Sequence, residues 1–233
     1  MRLYIIRHAD PDYANDTLTP VGHLEAQALG RRMAKAGLTH LYCSPLGRAK
    51  HTCHYTQQLT GLVPVTLDWT AELGCGVVVE PWGRLAVWDT PGEIIREKLP
   101  LPTHDNWHEM PIFSDPPYRE AFEKVQRGSD ALLAAHGYIR EGGRYRIQTP
   151  SRDQLAIFCH GGFGLWWLSH LLEIPLPLMW SSFWMPPTSV TTILMDERST
   201  TWAVPRAVGV SDVSHLYAEN LPVSHSGCKA NFD

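Results

Sequence analysis

The sequence predicts an α/β protein built as a three-layer sandwich, with a mostly parallel central sheet flanked by helices. Short apolar runs typical of strands alternate along the chain with segments of helical periodicity. One of these runs, residues 155–159, is continuously apolar, as expected of a strand that is buried on both faces. From about residue 69 to about residue 117 the apolar residues follow neither a helical nor a strand periodicity. We therefore expect a single domain over residues 1–233 with an inserted cap at about 69–117.

The first half of the chain contains three predicted strands and two predicted helices. Residues 3–6 form an apolar run, so a buried strand is expected to deliver Arg7 and His8 to its carboxyl end. Thr19 and Pro20 resemble an N-cap followed by proline at the first helical position, which predicts a helix ending near Gly37. A strand over 38–43, a helix that starts after a Ser44 cap and runs to about 59, and a strand over 62–67 follow.

The second half repeats the alternation. The pattern predicts a helix over 118–136, a charged surface turn over 140–146 and the buried strand over 155–159. An apolar helix to residue 172 follows His160, Gly161 and Gly162, and two final strands are expected over 189–195 and 201–204. The tail from residue 205 is irregular, and its pattern predicts no element.

Composition excludes several classes of protein. Apolar residues make up 44% and charged residues 19% of the 233 positions, which is typical of a folded globular chain. The net charge of -4 leaves no excess of cations for a nucleic-acid backbone or an anionic membrane, so neither partner is expected. The apolar run at the start of the chain is too short for a signal-peptide core, and no run approaches the length of a membrane span. With the five scattered cysteines, these observations predict a cytoplasmic protein. The oligomeric state stays open.

Two histidines and two arginines are expected to meet at one edge of the sheet. His8 and His160 each follow a predicted strand, Arg7 precedes His8, and Arg48 lies near the start of the second helix. Ligands of α/β sheets bind outside the carboxyl ends of the strands. Arginine offers a planar, permanently charged fork that matches the oxygens of a phosphate group. The predicted partner is therefore a phosphorylated small molecule.

A histidine attacks phosphorus through an unprotonated ring nitrogen, so its other nitrogen must donate to a fixed acceptor. Because two guanidiniums stabilise the charge of the transferring group, this chemistry requires no metal ion and no cofactor. His51 and His54 are three residues apart but have no third ligand, and they are interpreted, together with His23, His104 and His108, as solvated or structural.

Four motifs occur in a fixed order: Arg7-His8-Ala9; residues 18–22 with Gln27-Ala28; residues 44–52; and His160-Gly161-Gly162. With these motifs the chain resembles the histidine phosphatase superfamily, also called phosphoglycerate-mutase-like, over residues 2 to about 172. It departs from the usual pattern at Ala9, where glycine is usual, and it lacks the glycine-tryptophan-glutamate sequence that usually follows the third strand.

The resemblance implies a catalytic mechanism. His8 becomes phosphorylated, and Arg7, Arg48 and His160 form the phosphate pocket, to which Gly161 of the last motif is also assigned. A carboxylate after the third strand protonates the leaving oxygen and later activates water. Glu72 is the candidate, with Glu80 as the alternative. Asn15 lies one position beyond the usual spacing of a family asparagine and is left out of the site.

Three functions stay open on the sequence: a phosphomonoesterase, a phosphoglycerate-type mutase, and a phosphoryl-binding protein without turnover. A phosphatase is the preferred hypothesis, because the proline-rich recognition segment associated with classical phosphoglycerate mutases is not recognisable in the insertion. The tryptophans of the insertion usually serve in packing, although Trp82, Trp88 and Trp107 are candidates for an aromatic wall beside an organic leaving group.

Overall fold

Strands and helices alternate in the computed structural model of the chain, which describes residues 1–228. The strands are β1 (Arg2–Arg7), β2 (Pro11–Asp12), β3 (Thr17–Leu18), β4 (His40–Cys43), β5 (Val65–Thr66), β6 (Gly76–Val79), β7 (Gly83–Ala86), β8 (Tyr138–Glu141), β9 (Arg144–Ile147), β10 (Gln154–Cys159), β11 (Val190–Glu197) and β12 (Trp202–Asp212). The helices are α1 (Pro20–Met33), α2 (Gly47–Thr60), α3 (Gly92–Ile95), α4 (Pro116–Ala135), α5 (Gly161–Leu172), α6 (Leu176–Ser182) and α7 (Ser214–Ala218).

The central sheet has eight strands in the order β5-β4-β10-β1-β11-β12-β9-β8. Its first half is parallel, since β1 pairs with β10, β10 with β4 and β4 with β5 in parallel register. The other half continues through antiparallel pairs from β11 to β8. Following these pairings, only β9 and β11 run against the other six strands, so the predicted mostly parallel sheet is confirmed.

Helices cover both faces of the sheet. Because successive strand residues point to opposite faces, Ile6 of β1 packs with Leu29 of α1 and Cys53 of α2. On the other face, Ile5 packs in a cluster with Phe163 of α5. The predicted three-layer sandwich is therefore confirmed. No helix within residues 1–228 has the length and apolar character needed to cross a membrane.

The predicted start of the first helix is confirmed, and that of the second is wrong. Thr19 accepts a hydrogen bond from the backbone N–H of Gly22 at 3.0 Å, as an N-cap does. Leu46 takes the N-cap position of α2, and no side chain of the described residues caps the helix; the hydroxyl of Ser44 accepts the backbone N–H of Leu46 at 3.3 Å and lies 2.7 Å from Nε2 of His160.

Several elements differ from the sequence pattern. The charged segment predicted as a surface turn forms the β8–β9 hairpin, whose turn is at Gly142 and Gly143. Strand β12 continues to Asp212, well beyond the predicted end at residue 204. The short helices α6 and α7 are not predicted by the sequence.

The irregular segment lies between β5 and α4 and contains the β6–β7 hairpin and α3. Trp107 and Phe113 anchor it, since both are buried in the same hydrophobic cluster as α5. The interpretation as one domain with a cap insertion stays a prediction, and residues 229–233 of that predicted domain lie outside the described part of the chain.

Candidate active site

His8 immediately follows β1, and its side chain is only 2% exposed. Its Nδ1 lies 2.7 Å from the carbonyl oxygen of Ala9, and a carbonyl can only accept, so Nδ1 carries the proton and donates it. Nε2 is then left with a lone pair, towards which Nε of Arg48 donates at 3.3 Å. The backbone at Ala9 is outside the left-handed region, which explains why alanine is tolerated where glycine is usual.

The electrostatic surroundings keep the His8 ring neutral. Burial is the main cause, and the positive charge of Arg7 adds to it; together they lower the pKa of His8 from 6.5 to about 3. Neutral imidazole with a free Nε2 is the form of histidine that attacks an electrophile.

His160 immediately follows β10, the strand beside β1, and its ring lies 5.2 Å from the His8 ring, centroid to centroid. Its side chain is fully buried, and Nε2 lies 2.7 Å from the hydroxyl of Ser44. Burial lowers the pKa of His160 strongly, and the positive charges of Arg48 and Arg7 lower it further. The two histidines predicted to converge are therefore adjacent, and of the two only His8 lines the cavity.

Arg48 is held in place by Asp16, which the sequence analysis missed. The Arg48 guanidinium lies 2.8 Å from Oδ1 of Asp16, while Oδ2 accepts the backbone N–H of Gly47 at 2.6 Å. Thr52, one turn after Arg48, accepts the backbone N–H of Ala9 at 2.9 Å. One carboxylate and one hydroxyl thus tie the start of α2 to the loop after β1.

Arg7 is buried beneath the cavity. Its guanidinium donates to the carbonyl oxygens of Met185 at 2.6 Å and Ser226 at 2.8 Å, while Nε has no partner within the described residues. A Cβ on Gly161 would lie 3.2 Å from that Nε, so glycine keeps the approach to the guanidinium open.

Glu72 lines the same cavity as His8, Arg7 and Arg48. Its carboxylate accepts the backbone N–H groups of Gly162 at 3.2 Å and Phe163 at 2.7 Å, at the N-terminus of α5. Burial raises the pKa of Glu72 in spite of these hydrogen bonds, which favours a protonated carboxyl group. Glu80, the alternative, is exposed and does not line the cavity. The exposed Asn15 instead donates to Asp12 at 2.7 Å.

The cavity above His8 has a volume of about 1030 Å³. Trp82 and Trp88 lie in its wall, as the aromatic-wall hypothesis expects. The expectation for Trp107 is wrong, because its indole is 2% exposed and packs against Trp166 in the core. Other aromatic lining residues lie outside the insertion and were not predicted: Tyr13 after β2, and Trp180, Phe183 and Trp184 in and after α6.

One cluster within residues 1–228 has the composition of a metal site, formed by His40, His136 and Asp153. It lies at the amino ends of β4 and β10, opposite the end that carries His8. Both nitrogens of His136 already have partners, since Nδ1 lies 2.7 Å from Asp153 and Nε2 lies 2.9 Å from the hydroxyl of Tyr42. Hydrogen bonding accounts for this arrangement, and the absence of a metal and of a cofactor stays a prediction.

Known proteins share this fold. An Entamoeba histolytica phosphoserine phosphatase variant in complex with phosphoserine is 18% identical, with a TM-score of 0.60 over 92% of this chain and 98% of the other. Mycobacterial glucosyl-3-phosphoglycerate phosphatase is also 18% identical, with a TM-score of 0.58 over 90% and 97% of the two chains. The alpha-ribazole phosphatase of Shigella flexneri is 18% identical, with a TM-score of 0.59 over 91% and 97%.

Curated relatives carry a different name. The Probable phosphoglycerate mutase GpmB of Serratia proteamaculans is 27% identical over 154 residues, which cover 59% of this chain and 70% of the relative. The protein of the same name from Proteus mirabilis is 27% identical over 108 residues, 42% of this chain and 49% of the relative. The chain thus spans between half and 70% of the length of these relatives.

The sequence pattern of the histidine phosphatase superfamily (branch 1) matches residues 3–206. That match contains His8, Arg7, Arg48, Glu72 and His160, the residues around the cavity described above. The chain belongs to the histidine phosphatase superfamily.

Proposed function

We propose that this protein hydrolyses phosphate monoesters through a phosphohistidine intermediate on His8. The observation that carries the proposal is the state of the His8 ring. Its Nδ1 donates to Ala9, its Nε2 is unprotonated, and the guanidiniums of Arg7 and Arg48 are close enough to lower its pKa. A dianionic phosphate drawn to those guanidiniums would meet a nucleophile that is ready to attack.

The proposed reaction has two steps. In the first, Nε2 of His8 forms a bond to phosphorus while the ester bond breaks, and the departing alkoxide oxygen takes the proton of Glu72. In the second, water attacks the phosphoryl group on His8, the carboxylate of Glu72 takes a proton from that water, and the N–P bond breaks to release inorganic phosphate. Arg7 and Arg48 stabilise the charge on the nonbridging oxygens in both steps, and Gly161 keeps Arg7 accessible.

In this proposal His160 acts beside His8 and not on the leaving group. Its buried ring adjoins that of His8 and has Ser44 as its hydrogen-bond partner. Any new hydrogen bond to the transferring phosphoryl group would involve Nδ1, which has no partner within residues 1–228.

A mutase is the second candidate, supported by the name that the curated relatives carry. It would return the phosphoryl group from His8 to another position of the same substrate, and it would have to exclude water from a cavity of about 1030 Å³. We favour hydrolysis because a cavity of that volume admits water to His8. The cytoplasmic location and the absence of nucleic-acid and membrane partners are further parts of the proposal.

The test uses the purified full chain with p-nitrophenyl phosphate and, separately, with 3-phosphoglycerate. We expect release of nitrophenol and phosphate by the wild type, and a decrease in kcat/KM of at least about a thousandfold in His8→Ala. Isomerisation of phosphoglycerate without release of phosphate would favour the mutase. If the wild type turned over neither compound, a phosphoryl-binding protein without turnover would be the remaining function.

A further inference from the structure

The cavity is much larger than a phosphate group and is lined mostly by apolar side chains. Apart from the groups around His8, its wall includes four tryptophans and several other apolar residues: Trp82, Trp88, Trp180, Trp184, Leu85, Leu165, Phe183 and Met185. Aromatic walls of this kind bind flat apolar groups through stacking and the burial of apolar surface.

One of these tryptophans lies directly beside the catalytic groups. A Cβ placed on Gly162 would come within 2.6 Å of the Trp88 indole, so that ring packs on the backbone at the start of α5. The backbone N–H of Gly162 donates to Glu72, and the preceding Gly161 adjoins Arg7. Because Glu72 is the proposed donor to the leaving oxygen, the part of the substrate bonded to that oxygen would contact Trp88.

The charges of the wall are unevenly distributed. Among the described lining residues the cations are Arg7 and Arg48, both at the phosphate end, while Glu93 places an exposed carboxylate on the insertion. Arg96, outside the lining, donates to the hydroxyl of Ser182 at 2.8 Å. A leaving group with its own carboxylate or phosphate would therefore face negative charge and apolar rings.

From this arrangement we propose that the site selects phosphate monoesters of bulky aromatic alcohols that carry no second anionic group. The inference rests on the proposed phosphatase function, and it adds a substrate class. It also assigns Trp88 and Trp82 as specificity-determining residues, with Trp88 next to the leaving oxygen and Trp82 towards the solvent, where its side chain is 44% exposed.

The test compares esters whose leaving alcohols have similar acidity, so that chemical reactivity does not determine the result. We expect kcat/KM for naphthylethyl phosphate to exceed that for ethyl phosphate by about a hundredfold, and 3-phosphoglycerate to be the poorest substrate of the three. Trp88→Ala and Trp82→Ala should each lower the naphthylethyl-to-ethyl ratio by about tenfold. Trp202→Ala is the matched control, because Trp202 stacks on Arg144 and does not line the cavity, and this variant should keep the wild-type ratio.

A second variant tests the role of charge. Glu93→Lys places a cation at an exposed position of the wall, and it should raise kcat/KM for 3-phosphoglycerate relative to ethyl phosphate by about three- to tenfold. A wild-type naphthylethyl-to-ethyl ratio near one, or a ratio that neither tryptophan variant lowers, would overturn the proposed substrate class.

Binding separates this inference from the proposed function. Calorimetry with the His8→Ala variant measures affinity for the intact esters without turnover, and we expect it to bind naphthylethyl phosphate about tenfold or more tightly than ethyl phosphate. Equal affinities together with normal hydrolysis by the wild type would reject the substrate class alone. Absence of hydrolysis by the wild type with preserved aromatic preference would reject the phosphatase function alone.

Discussion

Glu72 both contacts helix α5 and lines the cavity. Its carboxylate accepts two backbone N–H groups at the start of α5, and it also lines the cavity beside His8. We predict that Glu72→Gln, which keeps one of the two acceptor oxygens for that backbone but no ionisable proton, lowers kcat for ethyl phosphate by about a hundredfold or more. The loss for p-nitrophenyl phosphate should be much smaller, because nitrophenolate leaves without protonation. Steady-state kinetics on both esters measures the difference.

Glu80→Gln is the control for this prediction. Glu80 was the alternative donor in the sequence, but it is exposed and does not line the cavity. The control should leave kcat for both esters close to the wild-type value. Equal losses for the two esters in Glu72→Gln would show that Glu72 acts only through its contacts with α5.

The sequence predicts a site residue when that residue lies in a short, recognisable stretch of sequence. His8, Arg7 and Arg48 lie at the end of a strand or the start of a helix within recognisable motifs, whereas Glu72 was assigned only by its position after the third predicted strand; the structure brings all four around one cavity. Asp16 was missed because its contact with Arg48 joins the turn between β2 and β3 to the first turn of α2, and the two segments share no periodic pattern. Trp107 was wrongly predicted to line the cavity. In a segment without periodicity, composition alone does not distinguish a tryptophan that lines a cavity from one that is buried in the hydrophobic core.

At the scale of elements, the start of α2 depends on a close approach between two backbones. A Cβ added to Gly47 would lie 2.2 Å from the carbonyl oxygen of Asp16, a contact that only backbone movement can relieve. We predict that Gly47→Ala destabilises the fold by about 1–3 kcal/mol and displaces Asp16 from Arg48. The kcat/KM for p-nitrophenyl phosphate should fall by about tenfold, mainly through a higher KM. Urea unfolding and steady-state kinetics measure the two effects.

Gly74→Ala is the matched control, because a Cβ at Gly74 would have no neighbour within 4 Å. It should change neither the free energy of unfolding nor KM beyond experimental error. Wild-type stability and KM in Gly47→Ala would contradict the close approach.

Elements with a strong local pattern could be predicted, and edge elements could not. The continuous apolar run of β10 and the capped start of α1 are set by burial and by one hydrogen bond. The two strands of the β8–β9 hairpin were not predicted, because charged residues interrupt the alternation of apolar and polar residues in this pair at the edge of the sheet. Strand β12 was predicted too short because proline typically ends a strand, and Pro205 follows the predicted end. Pro205 is tolerated because it lies beyond Ala203, the last residue of β12 that pairs with β9.

At the scale of the whole molecule, a buried carboxyl group links stability to pH. Glu25 of α1 has no exposed surface; one oxygen accepts the backbone N–H of Asp10 at 2.8 Å and the other has no partner within residues 1–228. Burial raises the pKa of Glu25 from 4.5 to about 7. Between pH 4.5 and about pH 7, Glu25 keeps its proton in the folded state but loses it in the unfolded state. The contribution of Glu25 to the free energy of unfolding therefore decreases as pH rises through this range.

We therefore predict that the Glu25 contribution to the free energy of unfolding decreases by about 3 kcal/mol between about pH 4 and about pH 8. Glu25→Gln should remove this part of the pH dependence and leave the variant more stable than the wild type at pH 8. Urea unfolding at several pH values measures it, with Glu120→Gln on the exposed side of α4 as the control. Identical slopes for Glu25→Gln and the wild type would contradict a protonated Glu25.

The fold could be predicted for the parts of the chain in which strands and helices alternate. The parallel half of the sheet and its two helical layers follow from that alternation, and they place His8 and His160 side by side. The shape of the cavity was not predictable, since its wall combines the irregular insertion with residues of α6 and the tail. The proposed substrate selection would therefore depend on the part of the molecule whose sequence has the least periodic pattern.

Detection of a phosphoryl group on His8 during turnover tests the central claim most directly. The reaction with p-nitrophenyl phosphate is stopped in alkali, where phosphohistidine survives, and the peptides are examined by mass spectrometry. We predict that the peptide containing His8 gains one phosphoryl group, that the group is lost when the substrate is exhausted, and that His8→Ala shows none. Turnover by the wild type with no phosphoryl group on His8, or with the group on another residue, would contradict the account.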